Sequence, residues 1–328
     1  MSAIDRFIDA AKATPRSIVL PEGADQRVLA AARHLVGEKI ASVIVLGDPK
    51  ETQKTAANAS ISLAGIELVD PSRHGEAERL AADLADRNKK IEIDQAAEMI
   101  RQPLLFGGMM VSDGMADAMI AGAANETGKV ISAGLKTVGL APGISRLSSY
   151  FLMAVPNFMD SGPREFIFAD CAVNIDPDPQ ELADITIASA DSAAKLLAEE
   201  PRVALLSFST KGSARAEQVD KVTAALDIVR RRAPGLTVDG ELQADASFVP
   251  AVAERKVKDG AGVAGAANVL IFPDLNSGNI GYKLVQYMGN ADAVGPFFQG
   301  FAKPVCDLSR GCSVDDIIGA AIIMLATA

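Results

Sequence analysis

The chain has 328 residues, 49% hydrophobic and 23% charged, an ordinary globular mix with room for about two domains. Its net charge of −10 excludes the basic surface that nucleic acid or an anionic membrane rewards, so an anionic small molecule must be met by a few placed Arg or Lys. No apolar run approaches the ~18 residues of a membrane span, and the opening Met1-Ser-Ala-Ile-Asp-Arg6 lacks a signal-peptide core, which makes the cytoplasm the expected location.

Ile4, Phe7, Ile8 and Ala11 recur at helical spacing, and Ser17 to Leu20 reads as a strand ending at the turn Pro21-Glu-Gly23. A second helix carries Val28, Leu29, Ala32, Leu35 and Val36 on one face and leads to Ser42–Leu46, a continuous apolar run of the kind buried parallel strands show. The alternation continues through a strand 67–69, a helix from Ala77 to Asp86, helices between Asp94 and Asp113, and a strand 118–121. Thr127 to Gly139 is helical and Ala141-Pro-Gly143 breaks it. Strands 149–155 and 165–169 are expected to pair antiparallel, because Pro156 to Pro163 is too short for a crossover helix. A helix from Pro179 to Glu199, a strand 203–206, a helix from Ala214 to Arg232, a strand near Thr237 and Val238, and a strand 269–272 complete an α/β pattern.

Three cysteines, Cys171, Cys306 and Cys312, have spacings unlike a zinc site or a disulfide framework and are expected as reduced thiols. Only His34 and His74 occur, both in polar contexts that suit solvated roles. Acid–base work therefore falls to carboxylates, and no multi-histidine metal site is expected.

Four stretches are candidates for chemistry. Gly260-Ala-Gly-Val-Ala-Gly265 spells a dinucleotide fingerprint, but it precedes a strand and so cannot place pyrophosphate on a helix N-terminus. Ser207-Phe-Ser-Thr-Lys-Gly-Ser213 lies where a strand ends and a helix begins, the position at which open α/β sheets bind ligands. Ser209, Thr210 and exposed amides suit a phosphate, with Lys211 as a point charge; a capped helix with a solvated lysine is the structural alternative. Asn276-Ser-Gly-Asn-Ile-Gly281 also follows a strand, where Asn276, Ser277 and Gly278 suit either a binding loop or a plain turn before the helical Tyr282–Gln286.

Asp307-Leu-Ser-Arg-Gly-Cys-Ser-Val-Asp-Asp316 is the densest of the four. It packs a hydroxyl, a guanidinium, a thiol and carboxylates ahead of the apolar run 317–325. Ser313 is placed to cap the helix that follows, with Asp316 three residues on to reach back to the cap's amide. Gly311 frees the backbone to turn, and Arg310 adds donors suited to phosphate.

This stretch resembles the signature of the phosphate acetyltransferases (phosphotransacetylases). So do Phe168–Pro177, Leu206–Ser213, Asp239-Gly-Glu-Leu-Gln-Ala-Asp-Ala246 and Asn268–Tyr282, and the resemblance covers essentially the whole chain. It implies an α/β protein of two α/β/α domains with mostly parallel sheets and an interdomain cleft. The first domain would span 1–146 plus 297–328, the second 147–296. It implies reversible acetyl transfer between acetyl phosphate and coenzyme A, by direct attack of the thiolate in a ternary complex. Asp316 would be the base, Arg310 would balance charge on the phosphate, and Ser309 would hydrogen-bond the sulfur or carbonyl oxygen. Substrate contacts would come from Lys211, Ser209, Thr210, Asn276, Ser277, Gly278, Ser132 and Cys312. No metal or bound cofactor is implied, coenzyme A and phosphate being substrates, and the chain would form a homodimer.

Two positions depart from the family. Cys306 stands where Asn is usual before Asp307, and Ser132 stands where an arginine usually helps hold phosphates. A second upstream arginine has only Arg87 as a nearby counterpart; Lys129 or Lys136, one helical turn from Ser132, can supply the missing charge. A phosphate butyryltransferase and a non-catalytic acetyl-CoA-binding domain are the alternative readings.

Overall fold

The computed structural model describes residues 5–142, 144–258 and 262–327. Ile4, Gly143, Gly260 and Ala261, on which parts of the sequence reading rest, lie outside them. The chain divides into two compact units, Met1–Pro142 with Phe301–Ala328, and Gly143–Gly300.

The first unit runs α1 (Asp5–Ala13), β1 (Ser17–Leu20), α2 (Gln26–Gly37), β2 (Ser42–Leu46), α3 (Pro49–Asn58), β3 (Ile66–Val69), α4 (Ala77–Arg87), α5 (Ile93–Met99), α6 (Pro103–Asp113), β4 (Ala118–Ala121) and α7 (Thr127–Thr137). The second contains β5 (Ser148–Val155), β6 (Arg164–Ala169), α8 (Pro179–Leu196), β7 (Val203–Leu206), α9 (Glu217–Arg232), β8 (Val238–Leu242), α10 (Ala244–Phe248), α11 (Pro250–Lys256), β9 (Val269–Ile271), α12 (Leu275–Met288) and β10 (Asp292–Gln299). The chain then returns to the first unit as β11 (Val305–Asp307) and α13 (Val314–Thr327).

Strand order in the first unit is β3-β2-β1-β4-β11, parallel throughout. The short apolar strands suit this arrangement: β4 is buried along its whole length, as a parallel strand covered on both faces must be. α6 is buried from Leu105 to Val111, and α13 buries Ile317 and the stretch from Gly319 to Leu325 while packing on α1 and α2. Each such Leu or Ile contributes about 1.5–3 kcal/mol over an exposed one, which anchors the loop that precedes α13.

In the second unit the order is β10-β5-β6-β9-β7-β8. β5 pairs antiparallel with both β6 and β10, while β6-β9-β7-β8 are parallel. An aromatic core of Phe151, Phe166, Phe168 and Tyr282 lies here, with Phe151 and Tyr282 stacked at 4.2 Å between ring centroids.

Two sequence expectations are corrected. Asn276 to Gly281 is no turn but the opening of α12, because the Asp274 side chain caps the helix at the Ser277 amide, 2.8 Å away. The loop after β7 runs on to Ala216, so α9 begins at Glu217 and not at Ala214. The segment 262–266 is a run of turns ahead of β9, with no helix on which to seat a pyrophosphate.

Candidate active site

The carboxyl ends of three neighbouring parallel strands, β1, β4 and β11, deliver three loops to one place in the first unit. Ligands of open α/β sheets bind at such an edge. The loop after β11 carries Ser309 and Arg310, both exposed, and ends in the cap of α13. Ser313 and Asp316 form a reciprocal box: the Ser313 amide and hydroxyl donate to Asp316 Oδ2 at 2.8 and 2.9 Å, and the Asp316 amide donates to Ser313 Oγ at 3.1 Å. These bonds all use Oδ2 on the carboxylate side, so Oδ1 of this exposed residue lies outside the cap.

Arg27 underpins this loop. It sits in the first turn of α2, where the helix dipole disfavours a cation. Asp25 offsets that by accepting from its amide at 2.8 Å and pairing with its guanidinium at 2.7 Å, and is held below the usual carboxylate range chiefly by that side-chain bond. The remaining donors of Arg27 reach the carbonyls of Arg310 (2.8 Å), Cys312 (2.9 Å) and Ala123 (2.8 Å). One guanidinium thus ties the loop after β4 to the loop after β11.

Glu22, in the loop after β1, holds the other side. Its carboxylate accepts the amides of Gly122 (3.0 Å), Ala123 (2.9 Å), Ala124 (3.1 Å) and Asn125 (2.9 Å), and the Asn125 side-chain amide at 2.7 Å. Gly122 has φ of +111°, and a Cβ there would meet Asp307 Oδ1 at 2.4 Å and Leu308 O at 2.5 Å, so only glycine lets this loop press against the end of β11. Asp307 itself is buried. Its Oδ2 accepts from the Thr127 hydroxyl at 2.5 Å, and burial pushes its pKa up to about 6, with the Thr127 bond opposing and the charge of Glu22 adding. Burial also pushes the Cys312 thiol up to about 11, with Arg27 opposing, and the Cys171 and Cys306 thiols well above their ordinary range. None of the three is poised as a nucleophile.

Ser132 accepts a hydrogen bond from Lys136 Nζ at 3.0 Å and lines a cavity of about 770 Å³ together with Pro21, Gln102, Asn125, Lys129 and Lys136. Arg87 is directed elsewhere, to the Ser112 hydroxyl at 2.5 Å and the Thr137 carbonyl at 3.4 Å.

Of the second-unit candidates, Ser209, Thr210 and Gly278 are buried, Ser277 is half-buried, and Lys211 and Asn276 are exposed. Ser209 is fully buried and donates to Glu241 at 2.8 Å; the Thr210 hydroxyl accepts from the Gln243 amide at 3.0 Å. Lys211 pairs with Asp239, which has no exposed surface and also binds Arg230 at 3.1 Å. Asn276 and Ser277 lie in the first turn of α12, where Ser277 Oγ donates to the Asp274 carbonyl at 2.9 Å. Gly278 is a packing requirement: a Cβ would lie 2.3 Å from the Asp170 carbonyl oxygen.

A family model described as Phosphate acetyl/butaryl transferase matches residues 2–325. The chain belongs to that family. A phosphate acetyltransferase of Thermoanaerobacterium thermosaccharolyticum is 47% identical over 320 residues, 97% of each chain, and that of Bacillus subtilis is 44% identical over 312 residues, 95% of this chain and 94% of the other. The structure of a phosphotransacetylase from Streptococcus pyogenes superposes with a TM-score of 0.93 at 41% identity, covering 99% of this chain and 98% of that one. The sequence names Ser309, Arg310 and Asp316 as candidates but passes over Glu22 and Arg27, which hold the loops around them. Their signals were present: a glutamate inside a tight turn directly after a buried strand, and an arginine at the wrong end of a helix.

Proposed function

We propose that the chain is a phosphate acetyltransferase, and that Ser309, Arg310 and Asp316 carry the chemistry. In this reading the coenzyme A thiol gives its proton to Asp316. The sulfur then attacks the carbonyl carbon of acetyl phosphate, the new C–S bond replaces the C–O bond to phosphorus, and inorganic phosphate leaves. In reverse, phosphate attacks the thioester and the departing thiolate recovers the proton. Arg310 balances charge on the phosphate and on the tetrahedral oxygen, and Ser309 donates to the sulfur or the carbonyl oxygen. A donor placed where that charge develops is worth about 3–4 kcal/mol, or a hundred- to a thousandfold in rate.

The observation that carries the proposal is the exposed placement of these three side chains at one loop–helix junction whose backbone Arg27 holds from beneath. Transfer in a ternary complex is favoured over an acyl-cysteine, since a thiol raised to about 11 with no histidine beside it is a poor nucleophile. Ser132, with Lys129 and Lys136 around it, is assigned to the phosphates of coenzyme A; the contacts of Ser209, Thr210, Lys211 and Gly278 suit a scaffold instead. A cytoplasmic homodimer belongs to the same reading, and sedimentation tests the dimer. Thiol release from acetyl-CoA on adding phosphate tests the activity, and the same assay with butyryl-CoA sets acetyl against butyryl transfer. Binding of acetyl-CoA without release would replace the enzyme reading by that of a binding domain.

A further inference from the structure

Five N–H donors converge on one side-chain carboxylate at Glu22, a residue only 6% exposed that takes no part in the chemistry above. Four of them are consecutive backbone amides, Gly122 to Asn125, so the loop after β4 curls into an anion-binding nest. A nest of that kind would ordinarily take a phosphate or carboxylate from solution. Here the chain fills it with its own charge.

The consequences run outward to the reacting loop. Ala123 is gripped on both sides, its amide by Glu22 and its carbonyl by Arg27. The same Arg27 holds the carbonyls of Arg310 and Cys312. Gly122, whose amide Glu22 accepts, presses against Asp307 and Leu308 immediately before Ser309. Asn125, bound to Glu22 through both backbone and side chain, lines the Ser132 cavity beside Pro21. We infer that Glu22 is a positioning residue for acyl transfer: an internal anion that shapes the 122–125 loop and, through Gly122 and Arg27, sets the aim of Ser309 and Arg310. The inference rests on the acetyltransferase reading above.

The test compares Glu22→Gln and Glu22→Ala with the unmodified protein in phosphate-dependent thiol release, with and without added formate. Glutamine keeps the shape but turns an amide donor toward amides that need an acceptor. A misplacement near 1 Å costs about 10²-fold in rate, so kcat should fall by about that factor while KM for phosphate and acetyl-CoA stays within about threefold. Alanine empties the nest. Formate should then restore part of kcat in a saturable way, and chloride at equal ionic strength should not, a rescue that a merely structural role would not produce. Near-normal kcat in Glu22→Gln, a loss confined to KM, or no formate rescue in folded Glu22→Ala would overturn the inference. Failure of both variants to fold would overturn it too, by assigning Glu22 to folding alone. An inactive unmodified protein would instead strike at the acetyltransferase reading.

Discussion

Replacing Asp307 by Asn should make the protein more stable, and increasingly so as pH rises. Asp307 is 1% exposed, and its Oδ1 has no hydrogen-bond partner among the described residues. Burial raises its pKa from 3.8 to about 6. A carboxyl that holds its proton more tightly when folded gives its full stability only where both states are protonated, below about pH 4. Between about 4 and 6 the unfolded chain ionises first and stability falls; above about 6 the penalty is constant. A shift of that size corresponds to about 3 kcal/mol. Asparagine stays neutral and keeps an acceptor for Thr127, but its amide must occupy the same dry space, so a net gain of about 1–3 kcal/mol at pH 8 is expected. Urea unfolding of both proteins at pH 4.5, 6 and 8 measures it: the midpoint difference should widen with pH at unchanged slope. A difference that is flat with pH, or a variant less stable at pH 8, would refute the account of this buried carboxylate.

Other expectations follow from the same geometry. With its thiol at about 11, Cys312 should react with iodoacetamide about a thousandfold slower at pH 8 than a fully ionised thiolate, about tenfold faster per pH unit upward, as mass spectrometry of the labelled peptide can follow. Lys211→Met leaves buried Asp239 with Arg230 as its remaining ion pair, and should lower stability by about 1–3 kcal/mol with KM for phosphate unchanged; a large rise in that KM would return Lys211 to the substrate site. Ser132→Arg adds a charged fork of donors to a cavity whose lining cations are Lys129 and Lys136, and calorimetry should find coenzyme A bound about tenfold more tightly. Unchanged affinity would move the coenzyme A phosphates away from Ser132.

The sequence made the parallel core legible because β1, β2 and β4 are short uninterrupted apolar runs, and the β5–β6 pair because its connection is too short for a helix. It concealed β10, whose Gly295 and Pro296 look like a break; the strand accommodates them with a register shift between Val294 and Phe297. β8 was cut short because Asp239 and Glu241 do not look like buried strand residues. Lys211 and Arg230 pair with Oδ1 of Asp239, whose Oδ2 has no hydrogen-bond partner among the described residues, and Ser209 and the Gly212 amide donate to Glu241, partners that only the folded chain supplies. The opening of α12 was hidden by Asn276, Ser277 and Gly278, weak helix formers held by a cap and by close packing. At the site, the cap formed by Ser313 and Asp316 was readable because its contacts are local. Glu22 and Arg27 were not, since their partners lie about 100 and 285 residues away along the chain.

The most direct measurement is phosphate-dependent thiol release by Asp316→Asn. Asparagine still offers an oxygen to the Ser313 amide and hydroxyl, so the cap of α13 and the melting temperature should be nearly preserved, while the proton acceptor is removed. The account predicts kcat lower by about 10²–10⁴-fold in a folded protein. Near-normal turnover would contradict it, leaving Asp316 as a helix cap and sending the search for the base elsewhere on the three loops.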